Sequence, residues 1–242
     1  ACGQAPFSHH TPQNIYAESR ELYDRAMYSP AAEGFQNVIS KVDSESDLAE
    51  QSSFFYVLCG IKLMNRDAGD QVLKFLNEYP TSARRKELIL GIAEYSFNRR
   101  RYRDAKIWLS RLNGMYLPKK EKAELQFKLG YSLFMLKDFE NARAQFSAAK
   151  SSEFNISASA KYYYGHIAYL DTNDVTALEN LEPLIDHPSF GFVVPYYLAQ
   201  IYSRRLMDDK LLALGESLFK KSSIKRLPEI SKLIGQSLLT KK

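Results

Sequence analysis

The stretch Leu129-Gly130-Tyr131-Ser132-Leu133-Phe134-Met135-Leu136-Lys137-Asp138-Phe139-Glu140-Asn141-Ala142-Arg143-Ala144-Gln145-Phe146-Ser147-Ala148-Ala149 reads as two short amphipathic helices broken at Lys137-Asp138. Apolar residues recur at three- and four-residue spacing on both sides of the break, the period of a helix and not of a strand. Ala142 follows Gly130 by twelve residues, Phe146 follows four later, and Ala149 three after that. Two antiparallel helices cross closely only where a small side chain lets them, while large apolar neighbours fill the groove beside the crossing. On this reading Gly130 and Ala142 are the crossing pair.

The same register runs outward in both directions. Ala31, Ala68, Ala105, Ala142 and Ala177 stand 37, 37, 37 and 35 residues apart. Four residues beyond them lie Phe35, Val72, Leu109, Phe146 and Leu181, and three further on Val38, Phe75, Leu112, Ala149 and Leu184. A fixed period of this length is the mark of stacked supersecondary units. Ala93 with Ala105, and Gly165 with Ala177, repeat the small pair at the separation of twelve. Pro80 and Pro118 are placed to stop second helices, and Ser29-Pro30 reads as a cap followed by the first helical position. The breaks Asn65-Arg66-Asp67, Lys137-Asp138 and Asp171-Thr172-Asn173-Asp174 carry the loop chemistry of helical hairpins.

The spacing therefore predicts an all-α chain of about six helical hairpins followed by a single terminal helix, with no sheet. Residues 1–13, with two prolines, two histidines and no helical period, read as a flexible leader, and residues 14–242 as the repeat domain. Its units fall near 14–47, 48–84, 85–121, 122–156, 157–190 and 191–226, with a half-unit at 227–242. In the less regular sixth unit Leu211 takes the small-residue slot. The last helix opens at Pro228; it either caps the stack or, as its Ile234, Leu238 and Leu239 favour, awaits a partner as in the amino-terminal piece of a longer array.

Composition narrows the function. Thirty-three basic and 28 acidic residues are mostly interleaved, so the net charge of +5 implies no specific nucleic-acid partner. Cys2 and Cys59 form no CxxC pair, which argues against a disulfide framework or a cysteine zinc site; Cys59 reads as a small core residue. No apolar run is long enough to span a membrane. The start Ala-Cys-Gly-Gln-Ala is the kind of sequence left near a signal cleavage or lipidation point, which would make Cys2 the lipidated residue.

Leu129-Gly130, Leu133, Ala142, Phe146 and Ala149, with Pro80 closing the second unit, resemble the signature of the tetratricopeptide repeat family over about residues 14 to 240. The sequence departs from that signature in its longer units, its unfilled early Trp slot and its degenerate first and sixth units. The segments Phe127-Lys128-Leu129-Gly130-Tyr131, Tyr162-Tyr163-Tyr164-Gly165-His166-Ile167-Ala168-Tyr169 and Pro195-Tyr196-Tyr197-Leu198-Ala199-Gln200-Ile201-Tyr202 look like those of large exported repeat proteins of Bacteroidetes. The resemblance implies a right-handed superhelical α-solenoid, a scaffold located in the periplasm or at the outer membrane, and a protein or peptide partner.

It also implies where that partner would lie. The family's groove slots on the first helix of each unit correspond here to Leu90, Glu94 and Phe97; to Phe127, Tyr131 and Phe134; to Tyr162, His166 and Tyr169; and to Tyr196 and Gln200. Such rings offer contact area at little rotamer cost, although they could equally pack between neighbouring units. The Lys and Asn clamp of the family's chaperone-binding version is absent from these slots.

No phosphate loop, dinucleotide turn, metalloprotease helix or nucleophile elbow is present in the sequence, and the 11 glycines are scattered, so neither catalysis nor a cofactor is expected. His9-His10 lack the further ligands a metal site needs, and no metal is expected. Two basic clusters remain: Arg84-Arg85-Lys86, and Arg99-Arg100-Arg101 with Arg103. They read as solvated faces, or as a surface for an anionic polymer or membrane. A glycan-binding domain using the tyrosines and Trp108 is a third reading.

Overall fold

The computed structural model describes residues 11–218 and 227–240. Those residues are all-helical, with no strand. Two compact units divide the chain, Ala1–Met115 and Tyr116–Lys242. The first contains α1 (Pro12–Asp24), α2 (Tyr28–Ile39), α3 (Asp47–Lys62), α4 (Ala68–Glu78), α5 (Arg85–Asn98) and α6 (Tyr102–Ser110). The second contains α7 (Lys119–Met135), α8 (Phe139–Lys150), α9 (Ile156–Leu170), α10 (Asp174–Leu181), a 3-10 turn at Glu182–Leu184, α11 (Val194–Arg204), α12 (Asp208–Leu218) and α13 (Leu227–Thr240). Within each unit successive helices pack on one another, and α3 also meets α5 as α7 meets α9.

One turn geometry joins the helices of every pair. Ala26, Met64, Arg100, Lys137, Thr172 and Leu206 all have positive φ, between 55 and 63°. Each follows the C-cap of the first helix. At each, the amide of the next residue reaches back to the last turn: Met27 to Leu22 O, Asn65 to Gly60 O, Arg101 to Ser96 O, Asp138 to Leu133 O, Asn173 to Ala168 O and Met207 to Tyr202 O, at 2.8–3.0 Å. A second bond runs from the left-handed residue itself, as from Lys137 N to Phe134 O. This double closure is the Schellman cap, which satisfies carbonyls the helix end would leave unpaired.

Glycine is the usual occupant of the left-handed position because a Cβ there costs on the order of 1–2 kcal/mol. None of the six is glycine. Thr172, branched at Cβ, suffers most. Thr172→Gly is therefore expected to raise the unfolding free energy by about 0.5–1 kcal/mol once the added freedom of the unfolded chain is subtracted. A urea melt monitored by circular dichroism checks it, and an unchanged midpoint would refute the strain argument.

The alanine register is buried throughout: Ala31, Ala105, Ala142 and Ala177 at 0% exposure and Ala68 at 1%. The crossings, however, sit one turn further along the second helix than the spacing suggests. A Cβ added to Gly130 would lie 3.0 Å from the Phe146 ring and 3.1 Å from Gln145 Cβ, and one on Gly165 would lie 2.9 Å from Leu181 Cγ. Gly130 and Gly165 face the large members of their triplets, Phe146 and Leu181.

Helix ends depart from the sequence reading in three places. α1 begins at Pro12, inside the expected leader, because Thr11 Oγ1 accepts from the Asn14 amide at 3.3 Å and proline is tolerated in a first turn. α2 begins at Tyr28 with Met27 as cap, since the left-handed Ala26 sets the start and leaves Ser29-Pro30 inside the first turn. Pro118 starts α7 instead of stopping α6, which already ends at Ser110. Pro80 does follow the end of α4. The calls on Cys2, on His9-His10 and on residues 1–10 of the leader lie outside the described residues.

In the second unit Ile234 is buried and abuts Gly215 of α12, while Leu238 and Leu239 are exposed. α13 thus spends its Ile234 face on the preceding helices. Cys59 is buried among Ala31 and Phe35 as expected, and burial pushes its thiol up to about 12.

Candidate functional site

Aromatic side chains on the first helices gather around three wedges. Phe55 of α3 meets Tyr16 at 6.3 Å, Tyr23 at 5.3 Å and Phe35 at 5.5 Å, centroid to centroid. Tyr163 of α9 meets Phe127 at 6.1 Å, Phe134 at 5.2 Å and Phe146 at 5.4 Å. Tyr197 of α11 meets Tyr162 at 6.4 Å, His166 at 4.9 Å and Tyr169 at 5.0 Å. Each wedge stands nine residues before the left-handed residue of its own hairpin, at Met64, Thr172 and Leu206. Each enters the preceding hairpin, and Phe55 and Tyr163 touch matching positions in it. Phe55 stacks on Phe35 and Tyr163 on Phe146, and the other rings meet in T-shaped and tilted pairs, all of the kind worth about 0.5–1.5 kcal/mol beyond area burial.

Most of the expected groove residues of the second unit belong to this packing. Tyr131 lies 5.2 Å from Tyr163, Phe134 5.7 Å from His166, and Tyr162 stacks on Phe190 at 4.6 Å. Tyr196 sits 5.5 Å from Tyr197, Tyr169 lies under the Arg204 guanidinium at 5.4 Å, and Gln200 is half-buried. Arg204 in turn pairs with Asp174, and Arg143 with Asp171, tying neighbouring hairpins. Burial and the Tyr197 hydroxyl raise the Tyr162 phenol above its ordinary range.

His166 Nδ1 is buried without a hydrogen-bond partner, and burial lowers the imidazole pKa. The fold therefore favours the neutral ring. Below the unfolded value of about 6.5 the unfolded chain takes a proton that the folded chain resists, so stability falls as pH drops through that point. Wild-type protein should have a lower unfolding midpoint at pH 5.5 than at 7.5, and His166→Gln should narrow the difference. An equal difference in both proteins would rule His166 out as its source.

In the first unit the expected slots take a different form. Leu90 and Glu94 line a cleft of about 610 Å³ among α1, α3 and α5, with Tyr23, Leu58 and Ile61 also in its lining. Lys62 and Arg99 stand at its helix C-terminal end. The wedge slot of α5, nine residues before Arg100, holds Gly91. Phe97 lies outside the cleft, 6.2 Å from Tyr102.

The basic residues separate into two groups. Arg84 covers the Phe54 ring at 4.9 Å, Arg85 donates to Leu76 O, and Lys86 is half-buried, all at the start of α5. Arg99, Arg100, Arg101 and Arg103 are exposed at its other end, about 20 Å away for a helix of this length. Trp108 is buried at 6% exposure with Arg111 over its ring at 4.9 Å, so it offers no open face for a sugar.

Gly91, Phe55, Tyr163 and Tyr197 escaped the sequence reading. The signal was available: Gly91 and Tyr163 both stand 14 residues before a register alanine, and Phe55 stands 13 before one. Among the described residues no three His, Cys, Asp or Glu side chains converge as a metal site would require, and no helix is long and apolar enough to cross a membrane. No known family model matches the chain, and no characterised protein matches it in sequence.

Proposed function

We propose that this chain is a non-enzymatic scaffold built as a tetratricopeptide-like α-solenoid of six hairpins and a terminal helix, and that it binds a protein or peptide segment on the first helices of its hairpins. The observation that carries the reading is the sixfold recurrence of one Schellman turn at spacings of 34 to 38 residues, the length of a helical-hairpin repeat. Modules that contact only their neighbours present their first helices as a continuous recognition surface. The sequence likeness to exported repeat proteins of Bacteroidetes supports a place in the periplasm or at the outer membrane.

Affinity capture from bacterial envelope extract tests this reading, with wild-type protein, Leu90→Glu, and the pair Arg99→Glu/Arg103→Glu, each washed at low and high salt. A partner held at high salt and lost only with Leu90→Glu supports the first-helix surface. Capture that salt abolishes and that only the arginine changes remove would replace it with an adaptor for an anionic polymer or membrane, since charge-led binding is screened over about 10 Å at 0.1 M salt.

A further inference from the structure

Three hairpins are locked to the one before by a ring from the same slot: Phe55, Tyr163 and Tyr197. α5 alone among the first helices of the first unit's later hairpins leaves that slot without a side chain, at Gly91. Where Tyr163 meets Tyr131 and Phe134, which stand six and three residues before their turn, Gly91 faces Leu58 and Ile61 at the same offsets before Met64. The result is the open cleft of about 610 Å³.

The opening at Gly91 has room for a side chain. A Cβ built there meets Ile61 Cδ1 at 3.5 Å as its nearest neighbour, ordinary van der Waals contact, whereas at Gly130 and Gly165 it would strike Phe146 and Leu181 at 3.0 and 2.9 Å. Those two glycines are required by a close crossing. Gly91 is not, and beside its absent side chain Leu90 stays half-buried and Met64 54% exposed over the buried Leu58 and Ile61.

Charge selects the occupant further. Glu87 and Glu94, four residues before and three after Gly91, place carboxylates on both sides of the opening on the same helix face, while the cleft's two cations, Lys62 and Arg99, stand together at its helix C-terminal end. Within the protein, the equivalent ring Phe55 is covered by a guanidinium, Arg20, at 3.8 Å. A ring with a cation beside it is thus already the filling of one such slot, and the carboxylates would hold the cation of an incoming one.

We propose that the Gly91 cleft is a docking slot for a partner peptide that inserts a Tyr, Phe or Trp side chain flanked by Lys or Arg, completing from outside the wedge that other hairpins supply themselves. This rests on the scaffold reading above. It specifies which hairpin binds, and by what side chain.

The test is selection of a displayed random dodecapeptide library on the full chain, with Gly91→Tyr and Glu87→Gln/Glu94→Gln as comparison proteins. The expected peptides carry an aromatic residue with a basic neighbour. Synthetic versions should lose at least tenfold in affinity to Gly91→Tyr, whose own ring fills the slot, and should lose severalfold to the double Gln variant. Gly91→Tyr should at the same time melt no lower than wild type, so that lost binding is not lost folding; if it does melt lower, Gly91→Leu serves in its place. Peptides without an aromatic residue, or aromatic peptides indifferent to Gly91→Tyr, would overturn the slot and leave the scaffold reading standing. If no peptide is enriched on any of the three proteins, and envelope capture also fails, both fall.

Discussion

Phe146→Ala is expected to lower the stability of the second unit by about 3–5 kcal/mol, the range for truncating a fully buried phenylalanine. Phe146 is 0% exposed, lies against the Phe127 and Tyr163 rings at 5.9 and 5.4 Å, and has the bare backbone of Gly130 pressed on it from α7. The loss depends on whether the surroundings can collapse into the space. Here three helices meet on one ring, and none can approach without disturbing contacts to the others. Urea unfolding followed by circular dichroism measures it; a loss under about 1 kcal/mol would mean that the site collapses freely. Phe35 stands at the same place in the first hairpin, 5.8 Å from Tyr16 and 5.5 Å from Phe55, and Phe35→Ala should act alike on the first unit.

Gly165→Val should be nearly as damaging, at about 3 kcal/mol, for the opposite reason. An added Cβ would lie 2.9 Å from Leu181 Cγ and 3.2 Å from Asn180 Cβ, and both are buried on α10 with no flexible end to swing aside. The hairpin would have to open. Gly235→Ala in α13 provides the contrast, because nothing lies within 4 Å of its Cβ; the ordinary preference of helices for alanine should then stabilise it by up to about 1 kcal/mol. In a double-mutant cycle, Leu181→Ala should cost less in the Gly165→Val background than in wild type, since it vacates the contested volume. Additive losses would show that the clash lies elsewhere.

The helical class and the repeating register were legible from Ala31, Ala68, Ala105, Ala142 and Ala177, because a buried small residue constrains both neighbours of a crossing. Their partners were misjudged by a turn. Spacing along a chain fixes which residues share a face, but not the axial offset between two helices, and that offset puts Gly130 on Phe146 instead of on Ala142. The turn residues were hidden for another reason. A left-handed position advertises itself through glycine, and here it is held by Ala26, Met64, Arg100, Lys137, Thr172 and Leu206, which share no side-chain property.

The candidate site was legible only in part. Leu90 and Glu94 do line an open cleft, yet the rings of Tyr131, Tyr162 and His166 are engaged by wedges that no groove slot named. A tyrosine next to a cleft and a tyrosine sealing one look identical in sequence. What separates them is whether the facing slot on the next hairpin carries a ring, as at Tyr163, or nothing, as at Gly91.

The repeated turn also gives the molecule its own set of gauges. The amides of Met27, Asn65, Arg101, Asp138, Asn173 and Met207 make the same bond in six hairpins, so differences in their hydrogen-exchange rates reflect differences in how often each hairpin opens, not in local geometry. Read in order along the chain, those six rates would map cooperativity from hairpin to hairpin. Asn65 and Arg101, on either side of the unfilled slot at Gly91, should exchange sooner than Asp138 and Asn173, whose hairpins are pinned together by Tyr163.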